Sequence, residues 1–119
     1  MDTVTPDEEL LLDDLDAGRT IVVNLRKGVH DDLLAACRAR GALVRIDRAT
    51  RWGNPYAIPR DGNRAEVIRR YRDDHLPTRP DLLDDLPTLR GRALACWCAP
   101  EACHGNVLAA LVDTPSPVR

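Results

Sequence analysis

The chain has 119 residues, which is enough for one domain with a modest hydrophobic core. Hydrophobic residues make up 44% of it, but phenylalanine is absent, so the core must consist of leucine, valine, isoleucine and alanine. Its 17 basic and 19 acidic residues leave a net charge of −2, and only 3% of the residues are aromatic. This composition argues against a general nucleic-acid-binding surface, which needs basic charge and aromatic stacking.

The sequence also lacks the patterns of membrane-spanning and exported chains. No apolar run approaches the ~20 residues that cross a bilayer, and the first five residues do not resemble a signal peptide. Three of the four cysteines lie between Cys96 and Cys103, whereas a secreted disulfide framework would spread them along the chain. We therefore predict a cytoplasmic protein without a membrane partner, in which clustered cysteines indicate metal binding or catalysis.

The first predicted element is a helix with a strong start. Thr5 can cap it, Pro6 suits its first position, and Glu8 can complete a capping box. Four leucines between residues 10 and 15 then form an apolar stripe, and Gly18 ends the helix. We predict residues 1–18 to be a helical extension packed on the domain.

A strand, a helix and a second strand follow. Residues 21–23 are a short apolar strand of the kind that is buried on both faces of a parallel sheet. Asp31 or Asp32 begins the helix and Gly41 ends it, and residues 42–46 form the second strand. This order is a βαβ unit, whose crossover is almost always right-handed.

Residues 47–63 have no helical or strand period, and long irregular segments in small domains are usually functional or disordered. Asn63 caps the next helix and Pro80 begins a short one. Residues 92–98 form a third strand, and residues 104–112 form the last helix.

This alternation of strands and helices predicts the α/β class over residues 19–113. We expect a small three-layer or two-layer sandwich, with a short, mostly parallel sheet of about three to four strands flanked by helices. We expect the tail, residues 114–119, to fray.

The segment from Cys96 to Gly105 carries most of the candidate chemistry. Cys96 and Cys98 are two residues apart on the predicted strand, so their side chains point to one face, about 7 Å apart. Trp97 points to the other face, where we expect it to pack in the core. Cys103 and His104 begin the last helix, whose positive end favours a thiolate and lowers the pKa of a cysteine.

Three interpretations of this segment are open. In the first, Cys98 and Cys103 are reactive thiols and His104 transfers protons, which makes these three the candidate catalytic residues. In the second, a zinc ion is bound by Cys96, Cys98, Cys103 and His104. The residue types fit zinc, but the spacing does not match the usual Cys-x2-Cys pairs, and adjacent residues rarely bind one ion. In the third, the thiols only pack around a turn. We prefer the first and assign no metal or other cofactor.

A second group of polar residues surrounds the irregular segment. Arg48 follows the second strand at its carboxyl end, the edge where Cys98 lies if the strands are parallel and where open α/β sheets bind ligands. Arg64 stands beside the helix start at Asn63, and both arginines and helix starts bind phosphate or carboxylate. Trp52 offers a flat apolar wall and Asn54 a hydrogen-bonding amide. These features favour an anionic small molecule as the ligand, although pairing of the arginines with acidic residues would explain them as well.

Several motifs of the chain occur together in one known family. They are Val23-Asn24-Leu25-Arg26, Ile46-Asp47-Arg48, Trp52-Gly53-Asn54-Pro55, Gly62-Asn63-Arg64 with Tyr71, Leu89-Arg90-Gly91, and Cys96-Trp97-Cys98-Ala99-Pro100 with Cys103-His104-Gly105. In these the chain resembles the domain-of-unknown-function family 4326 of bacteria and phages, over about residues 20–112. The family is functionally uncharacterised, so the resemblance implies no reaction. It implies that the arginine and cysteine segments form one motif set. This chain has Ile46-Asp47-Arg48 where the resemblance implies Ile-Gly-Arg, so the middle position differs.

The leading hypothesis is a small enzyme or binding domain for an anionic molecule that carries phosphate, such as a nucleotide. Its candidate ligand-binding residues are Asn24, Arg26, Arg48, Trp52, Asn54 and Arg64. The alternative is a zinc-binding structural or interaction module that uses the segment from Cys96 to His104. A third hypothesis is an adaptor without chemistry, whose arginines contact a partner.

Overall fold

Three parallel strands form the centre of the molecule. The computed structural model describes residues 4–99 and 101–113. In it, β1 (Ile21–Asn24), β2 (Leu43–Arg45) and β3 (Ala93–Cys96) form a sheet in the order β1-β3-β2. The last strand therefore lies between the first two, and Ala93 is paired with Ile21 on one side and Leu43 on the other. The predicted α/β class with a small parallel sheet is confirmed.

Helices and helical turns make up most of the rest. The α-helices of the described residues are α1 (Pro6–Asp16), α2 (Asp31–Ala39), α3 (Arg64–Arg70), α4 (Pro80–Asp85) and α5 (His104–Asp113). A π-helical turn (Tyr71–His75) continues α3, and 3-10 turns (Leu76–Thr78 and Leu86–Leu89) flank α4. Within residues 4–99 and 101–113, no helix is both long enough and apolar enough to span a bilayer.

The helix starts agree with the local sequence signals. Thr5 and Glu8 form the predicted capping box, in which each side chain accepts a hydrogen bond from the other residue's backbone N–H. Asn63 and Glu66 make the same pair at the start of α3. At α2, Asp31 is the first helical residue and His30 precedes it.

The sheet is covered on both faces, which gives the larger of the two predicted architectures, a three-layer sandwich. Alternation along β3 assigns Ala93 and Ala95 to one face and Leu94 and Cys96 to the other. The alanine face packs against leucines of α1 and α2, including Leu12, Leu15, Leu33 and Leu34. The opposite face packs against α4, α5 and the helical turns through residues such as Leu108, Val112, Tyr71 and Leu82.

The third strand is shorter than predicted. It ends at Cys96, level with the end of β1 at Asn24, because no neighbouring strand continues beyond that point to pair with it. Trp97 and Cys98 therefore lie in a loop and not on a strand. The expectation that Trp97 packs in the core is wrong, since 51% of this residue is exposed.

The irregular segment between β2 and α3 is anchored at two points. Trp52 is buried, and its carbonyl accepts a 2.7 Å hydrogen bond from the hydroxyl of Tyr71. The amide of Asn54 donates a 3.0 Å hydrogen bond to the carbonyl of Val67 on α3. Gly53 fits between these anchors because a Cβ there would lie 2.6 Å from the Cα of Arg48. The predicted fraying of residues 114–119 lies outside the described residues.

Candidate functional site

A cavity of about 400 Å³ opens beyond the carboxyl ends of β2 and β3. Ligands of open α/β sheets usually bind at this edge, and the volume is in the range of small-molecule sites. The side chains that carry its chemistry are Arg48, Arg64, Cys96, Cys98, Cys103 and His104. The structure thus brings the predicted arginine and cysteine segments to the same cavity.

Three cysteines converge at this cavity. The Sγ atoms of Cys96, Cys98 and Cys103, the thiol cluster, all lie within 4.8 Å of one another. Cys96 and Cys103 are buried with their Sγ atoms 3.0 Å apart, and Cys98 is half-buried. The thiols are free, since a disulfide bond is only about 2.05 Å long. With this donor set the thiol cluster could hold a metal ion.

The thiols of the cluster differ in acidity. The hydrogen bond from the thiol of Cys103 lowers the pKa of Cys96 to about 6, despite the opposing effect of burial. The same hydrogen bond, together with burial, raises the pKa of Cys103. The sequence pointed to Cys103 as the acidic thiol because it lies at a helix start. The contact between the two sulfurs outweighs that effect, so Cys96 and not Cys103 has the lowered pKa.

His104 is not part of the thiol cluster. It is the first residue of α5, and its Nε2 lies 2.7 Å from the carbonyl oxygen of Ile46, so Nε2 carries the proton and donates it. Its ring meets that of Tyr71 edge-on, with centroids 4.9 Å apart. Burial lowers the pKa of His104, although the bond to Ile46 acts in the opposite direction. A zinc site made from all four residues of the segment is therefore not formed.

The two cavity arginines have different partners. Arg48 donates 3.0 Å hydrogen bonds to the carbonyls of Asn54 and Tyr56, and no carboxylate in the described part of the chain pairs with it. Arg64 donates to the carbonyl of Ala102 and also forms a 3.2 Å ion pair with Glu101, which is exposed. The positive charge of Arg48 is thus held in place by neutral groups.

The exposed indole of Trp97 forms part of the cavity wall. Its Nε1 donates a 3.1 Å hydrogen bond to Asp47, whose carboxylate also pairs with Arg45. The hydrogen bond from Arg45, together with that from Trp97, holds the pKa of Asp47 below its usual value, although burial opposes them. Neither Asp47 nor Trp97 was predicted to line the cavity. The position of Asp47 directly before Arg48 was the one sequence signal for it, and no signal pointed to Trp97.

Three of the predicted ligand-binding residues do not line the cavity. Trp52 is in the core. Asn24 is buried at the end of β1, where its amide donates a 2.5 Å hydrogen bond to the carbonyl of Ala99 and its oxygen accepts one from the N–H of Arg26. The side chain of Arg26 is exposed. Asn54 does line the cavity, but its amide is already bonded to Val67 and Tyr56.

The fold and the site define a three-layer α/β domain with a thiol cluster at the carboxyl edge of its sheet. An arginine that has no carboxylate partner among the described residues lies at the same edge. The chain belongs to the family described as Domain of unknown function (DUF4326), whose model matches residues 34–114. This confirms the resemblance noted in the sequence. The matched region contains the thiol cluster and both cavity arginines, whereas α1 and β1 precede it.

One relative in a bacteriophage is similar to part of the chain. It is the "Uncharacterized 12.4 kDa protein in nrdA-td intergenic region" of Enterobacteria phage T4, which is 34% identical over 73 residues. The alignment covers 59% of this chain and 67% of the phage protein. No solved structure matches the chain. Because the family is uncharacterised, the function has to be argued from the site.

Proposed function

We propose that this domain binds a small anionic molecule in the cavity, with Arg48 as the contact for its negative group. The observation that carries the proposal is the charge of Arg48, which no carboxylate in the described residues neutralises. Two of its five N–H groups are bonded to carbonyls, and these bonds hold the guanidinium plane at the cavity. A guanidinium held in this way loses little entropy when it binds phosphate or carboxylate.

Arg64 supplies a second positive charge on the same wall. Its partner Glu101 is largely exposed, and exposed ion pairs contribute only about 0–1 kcal/mol. An incoming anion can therefore replace Glu101 at little cost. Asp47 also faces the cavity, but its charge is balanced by Arg45, so it does not repel an anion strongly.

The remaining wall suits an apolar or flat part of the same ligand. Trp97 and Ile58 line the cavity and are about half exposed, at 51% and 49%. Large apolar side chains exposed inside a concave site are typical of small-molecule binding. A nucleotide is one molecule that carries both a flat apolar part and phosphate.

The proposal can be tested with inorganic pyrophosphate and AMP as probes, titrated calorimetrically into the reduced protein. We expect Arg48→Gln to weaken binding by about tenfold or more, since a hydrogen bond to a charged group contributes ~1.5–3 kcal/mol. Arg64→Gln should have a smaller effect in the same direction. Arg26→Gln is the matched control, because this exposed arginine lies outside the cavity wall, and its binding should equal that of the unaltered protein.

Because Arg48 also binds two backbone carbonyls, its loss could disturb the loop. Arg48→Lys addresses this, since it keeps the charge and should retain part of the affinity, while circular dichroism reports on folding. Equal binding by Arg48→Gln and the unaltered protein, or a loss as large in Arg26→Gln, would contradict the proposal. So would the failure of both probes to bind.

A further inference from the structure

The thiol cluster is not among the residues proposed to contact the anion. We infer that Cys96, Cys98 and Cys103 bind one zinc ion through three sulfurs, with its fourth coordination position open to the cavity. The inference rests on the proposed function in one respect, because the open position faces the space where the anionic ligand would lie. The ligand class is thereby narrowed to a molecule that has a metal-binding donor atom in addition to its anionic group.

The distances suit a three-sulfur site. Zinc–sulfur bonds of ~2.3 Å in a tetrahedron place the sulfurs roughly 3.8 Å apart. In the thiol cluster, the sulfurs of Cys96 and Cys103 are 3.0 Å apart, and all three lie within 4.8 Å of one another. Side-chain rotations that move each sulfur by less than about 1 Å would bring the three cysteines to the zinc geometry.

The surroundings of the sulfurs are those of an organised site. Cys96 ends a strand that is paired on both sides, and Cys103 directly precedes α5. The loop between them is fastened by the bond from Asn24 to Ala99. The backbone N–H of Gly105 is directed at the Sγ of Cys103 at 3.3 Å, and such outer hydrogen bonds orient metal ligands and stabilise their charge.

The fourth position is open because no other side chain in the described part of the chain completes the set. Among the described residues, the group of donors within reach of one ion contains the three cysteines and no further histidine, aspartate or glutamate. His104, the nearest candidate in sequence, is bonded to Ile46 instead. All three cysteines line the cavity, so water or a ligand atom has access to the ion. Zinc sites with three protein ligands and an exchangeable fourth are typical of catalytic centres.

Cobalt(II) is a suitable probe because it replaces zinc and its sulfur coordination gives characteristic absorption bands. Titration of the full, reduced chain should show one cobalt per molecule, displaced by zinc. We expect Cys98→Ser to weaken binding by at least about a hundredfold, because changes outside the ligand set already cost ten- to hundredfold. Cys98 is the preferred variant because it is half-buried, whereas replacing buried Cys96 or Cys103 could prevent folding.

Cys37→Ser is the matched control. Cys37 is buried in the core of the opposite face of the sheet, so this variant removes one thiol and leaves the cluster intact. It should bind cobalt as the unaltered protein does, and circular dichroism of the same sample checks that the serine in this core leaves the fold intact. Cobalt binding well below one per molecule, or an equal loss in Cys37→Ser and Cys98→Ser, would overturn the inference. A Cys96–Cys103 disulfide that persists in reduced, zinc-supplemented protein would overturn it as well.

Added imidazole or thiocyanate tests the open position. Either should shift the cobalt bands of the loaded protein, and bands that do not respond would show a closed site and contradict this part of the inference. The two proposals can fail separately. Arg48→Gln should lose pyrophosphate and keep cobalt, whereas the unaltered protein stripped of metal should still bind pyrophosphate.

Discussion

The indole Nε1 of Trp97 donates a 3.1 Å hydrogen bond to the carboxylate of Asp47, and so joins the loop after β3 to the loop after β2. The bond fixes a tryptophan that is 51% exposed, at the wall of the cavity. Asp47 can hold it because Arg45 balances the charge of the carboxylate.

The first prediction concerns this carboxylate. Asp47→Asn removes the charge that pairs with Arg45 and leaves one weaker acceptor for Trp97, so we expect a loss of about 1–2 kcal/mol in the free energy of unfolding at neutral pH. Urea denaturation measures this directly. Asp84→Asn, at an exposed position of α4, is the control and should stay within about 0.5 kcal/mol. A loss no larger than that of the control would show that the Asp47 contacts contribute nothing.

The same pair predicts a dependence on pH. The contacts with Arg45 and Trp97 lower the pKa of Asp47 in the folded protein. The carboxylate therefore stabilises the fold at pH values above 3.8, which is the pKa of this carboxyl in the unfolded chain. This contribution is lost as the pH falls from about 4 through the lower folded pKa. The difference in unfolding free energy between the unaltered protein and Asp47→Asn should therefore shrink on acidification below about pH 4. If this difference in unfolding free energy stayed constant down to the lowest pH at which both proteins are folded, the pKa of Asp47 would not be lowered by folding.

Tyr71→Phe tests how the irregular segment is anchored. The hydroxyl of Tyr71 is fully buried and donates to the carbonyl of Trp52, and its loss leaves that carbonyl without its hydrogen bond. We expect a cost of about 1–2 kcal/mol, with a change in tryptophan fluorescence. Tyr56→Phe serves as the comparison. The guanidinium carbon of Arg70 lies 4.3 Å from the ring centroid of half-exposed Tyr56, and a phenylalanine ring keeps this contact. Equal stability of the two variants would exclude the proposed anchor.

Gly105→Ala tests the close approach of α5 to the sheet. A Cβ at this position would lie 2.8 Å from Cδ1 of Ile46 and 3.2 Å from Cγ1 of Val22. Alanine gains roughly 1 kcal/mol of helix propensity, but crowding in a packed core costs about 1–3 kcal/mol. We therefore expect a net loss in melting temperature, and a variant more stable than the unaltered protein would show that the helix can move away without cost.

Asn24→Ala tests the support of the cysteine loop. Asn24 is not a cavity residue, and its amide bonds to Ala99, directly after Cys98. Without that bond we expect the loop to open more often and Cys98 to react several-fold faster with a thiol reagent, followed by mass spectrometry of the labelled peptide. Labelling of Cys37 should not change, since this residue lies in the other core. Unaltered rates at Cys98 would mean that the loop is held by other contacts.

Local signals in the sequence predicted the elements well. The capping box at Thr5, the cap at Asn63 and the short strand at residues 21–23 all involve residues within a few positions of one another, and their physics is contained in that stretch. The parallel sheet followed from the order of elements. It also followed that the cysteine segment and Arg48 would meet at one edge of the sheet, where the cavity lies.

Contacts between distant segments decided the rest. Trp52 and Trp97 were assigned to the cavity wall and the core respectively, and the structure places them the other way round. Composition does not distinguish two tryptophans in irregular segments, because their burial depends on which chain packs over them. For Trp97 that depends on where β3 ends, and therefore on the lengths of its two neighbours.

What the sequence determined by itself is the α/β class, the starts of the capped helices and the position of the cysteine segment, because caps, periodicity and strand order act locally. Only the tertiary structure decided which cysteines form the thiol cluster, and that His104 lies outside it. The bond from His104 to Ile46 spans 58 residues, and the bond from Trp97 to Asp47 spans 50. Both contacts join the segment after β3 to the segment after β2, so no local pattern encodes them.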